Sequence, residues 1–240
     1  SRYFMWNGKK KAVTFSYDDG VAQDIRLAEI FNRNGLKCTF NINSGMMGGD
    51  SQWKKNNVMV RRMTPEECRK TYQGHEVAVH ALTHPHLENL PREGIEKEIA
   101  QDKKNLESIF DCEIHGMAYP FGTYNDEVLS VLRENNIRYA RTVSCTGRFD
   151  IPENFLILPA TCKHTLWSLP VSLWICSRRR PSSSMFGDTA TSLTLTTTGR
   201  LSSSSARWSA DMTISFTGQT TRCSVHFIGE RGFGAGCQNR

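Results

Sequence analysis

The first two thirds of the chain alternate between short apolar runs typical of strands and amphipathic patterns typical of helices. Six apolar runs predict strands over residues 12–16, 38–42, 76–80, 116–119, 140–144 and 156–160. Four helices are predicted between them, over residues 22–32, 65–72, 92–110 and 126–135. Because a strand-helix-strand order favours parallel strands with crossover helices, we expect an α/β fold, either a barrel or a doubly wound sheet.

Composition limits the classes of protein that this chain can represent. Its 240 residues, of which 38% are hydrophobic, suffice for one α/β domain with or without a tail. The formal charge is +6, but the excess comes mainly from arginines after residue 165, so we predict no nucleic-acid-binding stripe. No apolar run approaches the roughly 20 residues of a membrane span. The sequence makes no prediction of the oligomeric state.

The cysteines and the opening residues bear on the location of the protein. The cysteines before residue 165 are dispersed without paired spacing, which favours free thiols and a reducing compartment. No signal-peptide pattern opens the chain. We therefore favour a cytoplasmic location for the chain as written, with an extracellular one open if its N-terminus is incomplete.

Three short motifs follow predicted strands in a fixed order. They are Ser16-Tyr17-Asp18-Asp19-Gly20, His80-Ala81-Leu82-Thr83-His84 and Tyr119-Pro120-Phe121-Gly122. Each alone has an ordinary explanation, since Asp-Asp-Gly is common in turns and a single His-x-x-x-His pair is more often structural. If the segment after strand 76–80 turns helically, His80 and His84 lie on one face and can share a metal ion. Together, at the carboxyl ends of strands, the motifs predict a metal-hydrolase site.

With these motifs, the chain from about residue 11 to 164 resembles the polysaccharide deacetylase family, the NodB-homology carbohydrate esterases of family 4. Three places depart from the family pattern, the first being Ser16-Tyr17 in place of the usual Phe before the two aspartates. Ala81 replaces a hydroxyl residue in the second motif, and Ala118 stands where the third motif has an arginine that orients the catalytic base. Arg141 is a candidate substitute for that arginine. The resemblance implies an irregular (β/α) barrel and metal-dependent removal of acetyl groups from N- or O-acetylated carbohydrate.

The resemblance also assigns roles to individual residues. It implies that Asp19, His80 and His84 bind a divalent metal and that Asp18 is the general base that activates water. The substrate and oxyanion contacts it implies are Tyr119, Pro120, Phe121 and Gly122, with Tyr119 and Phe121 flanking the groove. Two imidazoles and one carboxylate suit Zn²⁺, although Co²⁺, Ni²⁺ or Mn²⁺ fit the same donors. The implied partner is an acetylated glycan or oligosaccharide.

The family's last motif, an apolar strand carrying a histidine acid, is not found after residues 156–160. His164 and His226 are the only histidines farther along, and we take His164 as the better candidate for the acid. The composition changes at the same place, because residues 165–240 are rich in Ser and Thr. A disordered tail is one explanation, but the aromatic residues scattered through this segment argue against it.

A shift of reading frame explains both the missing motif and the altered composition. Codons can be chosen for Ser184 to Thr194 so that reading one base earlier gives FYVWGHSYEFD, an apolar strand ending in Gly-His. On this hypothesis residues 1–164 are an incomplete barrel domain, and residues 165–240 are an out-of-frame, low-order segment. Loss of the closing strand exposes apolar edges, so such a chain is expected to be poorly soluble or inactive. The nucleotide sequence tests the hypothesis directly.

Two alternatives to a deacetylase stay open at this point. One is a non-catalytic remnant that keeps the metal or carbohydrate site but has lost the acid. The other is an amidase for small substrates that are not sugars, since Ala118 weakens the assignment to sugars.

Overall fold

The computed structural model describes residues 12–33, 35–48, 52–55, 57–146 and 152–160, together with four short strands farther along. The strands are β1 Ala12–Asp18, β2 Thr39–Ile42, β3 Gln52–Lys55, β4 Val58–Arg61, β5 Glu76–Val79, β6 Gly116–Ala118, β7 Tyr139–Cys145, β8 Leu158–Ala160, β9 Cys162–Lys163, β10 Ala190–Thr191, β11 Thr217–Gln219 and β12 Cys223–Ile228. The helices are α1 Gln23–Arg33, α2 Pro65–Thr71, α3 Arg92–Phe110 and α4 Asp126–Glu134. Three short 3-10 helices cover Ser44–Met46, Leu87–Asn89 and Pro120–Gly122.

One eight-stranded sheet, in the order β8-β7-β6-β5-β2-β1-β12-β9, forms the centre of the fold. Its first six strands in that order run parallel and are the six strands that the sequence predicts, with ends shifted by at most two residues. The sheet curls into a half-barrel, which confirms the irregular (β/α) barrel rather than the doubly wound sheet. All four predicted helices are present as well.

Two strand pairings were not predicted. Strands β3 and β4 form a separate antiparallel hairpin between the first 3-10 helix and α2. Strand β12 pairs antiparallel with β1, from Ala12 opposite Ile228 to Tyr17 opposite Cys223. The edge of β1, expected to lie open after loss of a closing strand, is therefore covered by backbone from the end of the chain. His164, and most of the segment assigned to another reading frame, lie outside the described residues.

Alternation along β1 separates the hydrophobic core from the interior of the barrel. Phe15 and Tyr17 pack against Phe31 of α1, with ring centroids 4.9 and 6.0 Å from it. The intervening Ser16 and the following Asp18 point to the opposite face, as the two-residue period of a strand requires. Both are buried. The apolar layer under the helices thus positions a polar row inside the barrel. Within the described residues, no helix has the length and apolar character needed to cross a membrane.

His75 is buried and joins the start of β5 to α1. Its Nδ1 accepts the Cys38 N–H at 3.2 Å, so Nε2 carries the proton that Asn32 Oδ1 accepts at 2.7 Å. Burial, with a smaller contribution from Lys37, lowers the pKa of His75 from 6.5 to about 4. A second proton on the ring would also face the Cys38 N–H. The folded state therefore prefers the neutral ring.

We expect the free energy of unfolding to fall as the pH drops from 6.5 to about 4. Over this range His75 becomes protonated in the unfolded chain but stays neutral in the folded chain. The contribution is complete above pH 6.5 and is on the order of 1–3 kcal/mol. Urea unfolding at several pH values measures it. His75→Gln, which has an acceptor and a donor but does not titrate, should flatten the slope. An equal slope in the two proteins would contradict the assignment.

Candidate metal centre

The predicted site residues meet at the carboxyl ends of the parallel strands. Asp18 ends β1 and Asp19 follows it, His80 follows β5, and Tyr119 follows β6. Asp19 and Gly20 have φ angles of 80° and 64°, so the chain turns sharply as it leaves β1. This turn places the two neighbouring carboxylates in different surroundings, Asp18 inside the barrel and Asp19 beside the histidines.

Asp19, His80 and His84 form a cluster of three potential metal ligands whose donor atoms all lie within 4.8 Å of one another. Asp19 Oδ1 is 3.6 Å from His80 Nε2 and 3.6 Å from His84 Nε2. Donors at about 2.0–2.1 Å from a shared tetrahedral ion are separated by roughly 3.4 Å, so this spacing suits one ion. Asp19 Oδ1 and His80 Nε2 are also buried without a hydrogen-bond partner, which is costly unless another group binds them. The residues present therefore fit a divalent metal.

A hydrogen bond fixes the orientation of the His80 ring. Its Nδ1 lies 2.7 Å from the Ala118 carbonyl oxygen, which can only accept, so Nδ1 carries a proton and, in the neutral ring, the lone pair is on Nε2, which faces Asp19. The His84 ring packs edge-on against the His80 ring, with centroids 4.7 Å apart. Burial, followed by the influence of His80, lowers the pKa of His84 to about 4. A neutral ring near pH 7 is the form that binds a metal.

The segment that carries the two histidines is not helical, contrary to the expectation from their spacing. Residues 80–86 have no regular structure, and Ala81 and His84 have φ angles of 64° and 59°. Non-glycine residues seldom adopt this left-handed region, and each instance costs on the order of 1 kcal/mol or more. The two imidazoles are therefore brought together by a loop whose conformation must be held from outside.

Asp18 lies in the barrel interior, where its partners come from strands distant in the sequence. Arg141 Nη2 on β7 donates to Asp18 Oδ1, and Arg141 Nε donates to Ser16 Oγ at 3.0 Å. Asn41 Nδ2 on β2 donates to the same carboxylate oxygen at 3.0 Å. Both members of the ion pair are almost fully buried, with side chains 3% and 2% exposed. Arg141, suggested as a substitute for the missing arginine, is thus in contact with Asp18.

The sheet register relates Arg141 to the alanine at the family's arginine position. Ala118 on β6 is paired with Arg141 on the neighbouring parallel strand β7. Paired residues of adjacent strands share one face of a sheet, so a guanidinium at either position starts from the same level of the barrel. Ala118 is fully buried, which leaves the interior beside it to the longer side chain of Arg141.

Arg62 and Asn43 contact the candidate ligands but were not singled out from the sequence. Arg62 Nη1 donates to the Asp19 carbonyl oxygen at 2.5 Å and to Asn43 Oδ1 at 2.9 Å. Asn43 Nδ2 in turn donates to the carbonyl oxygens of His80 and Ala81 at 2.5 and 2.8 Å. One sequence signal existed, since Asn41 and Asn43 interrupt an apolar strand on alternate residues. Arg62 has no such signal.

The third motif divides between the core and the surface. Tyr119, expected to flank the groove, is 1% exposed, and its hydroxyl donates to the Leu156 carbonyl oxygen at 2.7 Å. Pro120 is buried too, whereas Phe121 is 39% exposed and its ring lies between His84 and His86, at centroid distances of 4.7 and 3.8 Å. Gly122 has a φ of 75°, and a Cβ there would lie 2.8 Å from the Val143 nitrogen, so glycine is required. Only Phe121 of the predicted groove pair borders the metal cluster from the surface.

Comparisons with known proteins agree with the motifs. A family model described as polysaccharide deacetylase matches residues 6–140. YxkH of Bacillus subtilis (strain 168), whose name assigns it to the polysaccharide deacetylases, is 25% identical over 135 residues, which cover 55% of this chain and 45% of YxkH. The chain thus spans about half the length of that curated relative.

Two solved structures share the fold. The Streptococcus pyogenes deacetylase PplD, determined in complex with acetate, has a TM-score of 0.53 and 22% identity, over 60% of this chain and 61% of PplD. The BpsB deacetylase domain from Bordetella bronchiseptica has a TM-score of 0.51 and 13% identity, over 60% of this chain and 68% of that domain. At these identities the likeness concerns the fold alone.

Proposed function

Because this chain belongs to the polysaccharide deacetylase family, we propose that it is a metal-dependent hydrolase that removes acetyl groups from N- or O-acetylated carbohydrate. The observation that carries the proposal is the pair of buried atoms without a hydrogen bond, Asp19 Oδ1 and His80 Nε2, which lie next to a second carboxylate, Asp18, held by Arg141. Three converging ligand atoms beside a positioned carboxylate are the arrangement that metal-assisted hydrolysis requires.

Asp19, His80 and His84 would hold the ion, with Zn²⁺ the first choice and Co²⁺, Ni²⁺ or Mn²⁺ compatible with the same donors. A bound divalent ion supplies Lewis-acid polarisation of the acetyl carbonyl and a lowered pKa for the attacking water. The protein contributes a fixed His80 tautomer through Ala118 and a fixed turn at Asp19 through Arg62. These contacts hold two of the three proposed ligands, Asp19 and His80, in place.

Asp18 is the proposed general base, and a carboxylate oxygen of this residue would take the proton of the attacking water. Arg141 and Asn41 donate to Oδ1 and so restrict how the carboxylate can turn. Arg141 also compensates the charge of Asp18 in the buried interior. Phe121, at the exposed border of the cluster, is the residue that we expect to contact the sugar.

Acetate release tests the proposal. The purified chain is stripped of metal with a chelator, reloaded separately with Zn²⁺, Co²⁺, Ni²⁺ or Mn²⁺, and incubated with N-acetylated chitooligosaccharide, acetylated xylan or a small acetamide. We expect turnover that disappears on chelation and returns with at least one ion, because no other described group supplies the Lewis acid. His80→Ala should not regain activity. A protein that binds the ion but releases no acetate would be the non-catalytic remnant, and one that cleaves only small acetamides would be the amidase.

A further inference from the structure

Helix α3 carries two acidic residues on the side that faces the core. Its buried face holds Ile95, Ile99 and Leu106, yet Glu98 and Asp102 are also buried, at 8% and 0% exposure. The two are one helical turn apart and therefore point to the same side. Burying a carboxyl group is costly unless hydrogen bonds replace the water that it loses. The partners of these two groups show where that compensation comes from.

The Asp102 carboxyl group accepts from backbone N–H groups rather than from a lysine or arginine. Oδ2 accepts the N–H of the ligand His80 at 3.1 Å, and Oδ1 accepts the Ser44 N–H at 2.7 Å. Ser44 begins the 3-10 helix after β2, so one side chain connects α3 to the carboxyl ends of two neighbouring strands. The bond to His80 acts on the backbone of the residue whose Nε2 faces Asp19.

Glu98 holds the same loop between the two histidines. Its Oε2 accepts the Thr83 N–H and its Oε1 accepts the Thr83 hydroxyl, both at 2.8 Å. The Glu98 carbonyl oxygen accepts the Leu82 N–H at 3.0 Å. Together with Asp102, the helix therefore contacts the loop at three of the four residues from His80 to Thr83.

These contacts hold an irregular loop that contains two residues with left-handed backbone conformations. Asn43 and Gly45 bind the loop from the opposite side, through the carbonyl oxygens of His80, Ala81 and Leu82. The carbonyl oxygens of the loop thus accept hydrogen bonds from residues that follow β2, and its N–H groups donate to α3. A strained conformation persists only when its surroundings determine it in this way.

We infer that Glu98 and Asp102 are positioning residues that act through the loop to set the distance between the histidine nitrogens and Asp19. The inference rests on the proposed function, because it concerns the same three ligands. It predicts that removing a contact on α3, which touches no ligand side chain, weakens metal binding. Groups that orient metal ligands typically change affinity by about 10–100-fold when they are mutated.

Asp102→Asn is the main test, since the amide keeps the size of the side chain but offers one acceptor oxygen for two N–H groups. We expect the Zn²⁺ dissociation constant, measured by competition with a chromophoric chelator, to rise about 10–100-fold. The rise in unfolding midpoint on adding Zn²⁺ should shrink in parallel. Asp111→Asn, at the exposed end of the same helix, is the matched control and should bind as the unaltered chain does.

Thr83→Val keeps the test decisive if the buried Asp102 variant does not fold. Thr83 is exposed, so valine removes the hydroxyl bond to Glu98 without disturbing the core. If this bond helps to position the loop, its loss should weaken Zn²⁺ affinity by about tenfold, the lower end of the range for groups that orient metal ligands. Zn²⁺ affinity within twofold of the unaltered chain in the folded variants would overturn the inference alone. Failure of the unaltered chain to bind Zn²⁺ would overturn the proposed function as well.

Discussion

Asp18→Asn is expected to lower acetate release by about 10²–10⁴-fold while Zn²⁺ binding stays near that of the unaltered chain. An amide oxygen can still accept hydrogen bonds from Arg141 and Asn41, although the charge of the buried Arg141 is then uncompensated, and the side chain no longer takes up a proton at neutral pH. The loss should appear in kcat rather than KM, because the change concerns proton transfer in the transition state. Steady-state acetate release, with the bound metal quantified in the same preparations, measures both.

Two further variants separate the roles of the neighbouring carboxylates. Asp19→Asn should lose Zn²⁺ affinity together with activity, since Asp19 Oδ1 is the donor shared by both histidine contacts. Asp126→Asn, an exposed carboxylate in the first turn of α4, should change neither. If Asp18→Asn retained turnover within a few-fold of the unaltered chain, another group would have to accept the proton, and the assignment of Asp18 as base would be wrong.

The motifs reveal the candidate ligands because each motif is local. Asp18, Asp19, His80 and His84 follow strands that their own apolar runs identify, and parallel strands end at one edge of a sheet. The prediction that a helical turn brings the two histidines together was wrong. Ala81 and His84 have left-handed backbone conformations, and no glycine at these positions signals them in the sequence. Their conformation is imposed by contacts with α3 and β2 that the local sequence does not encode.

The residues that support the ligands depend on register and curvature, which local patterns do not determine. Arg141 is on β7, which is four strands away from β1 in the order of the sheet. Its side chain reaches Asp18 because the sheet curls. One signal was available on α3, where Asp102 falls seven residues after Ile95, on the apolar face of the predicted helix. A carboxyl group at such a position indicates a buried polar contact, even though its partners remain unknown from sequence.

Arg141→Met is expected to destabilise the chain by about 3–5 kcal/mol, because it leaves Asp18 buried without its cation. The side chains of this pair are 3% and 2% exposed, so water cannot replace the guanidinium without opening the barrel. Arg141→Lys should recover part of the loss, since an ammonium supplies the charge but not the fork that joins Asp18 Oδ1 to Ser16 Oγ. Urea unfolding of each variant, with the slope m compared, gives the change in the free energy of unfolding.

The double variant Asp18→Asn/Arg141→Met distinguishes loss of the ion pair from loss of packing. If the cost of Arg141→Met arises from an uncompensated carboxylate, then removing that charge as well should make the double variant more stable than Arg141→Met alone. If the cost arises from the cavity left by the long side chain, the two effects should add.

Ala118 provides a second test of the ion pair, because it lies in register with Arg141 and is fully buried. Ala118→Arg should therefore restore stability to Arg141→Met but destabilise the unaltered chain, where the larger side chain would have to fit beside Arg141 at a fully buried position.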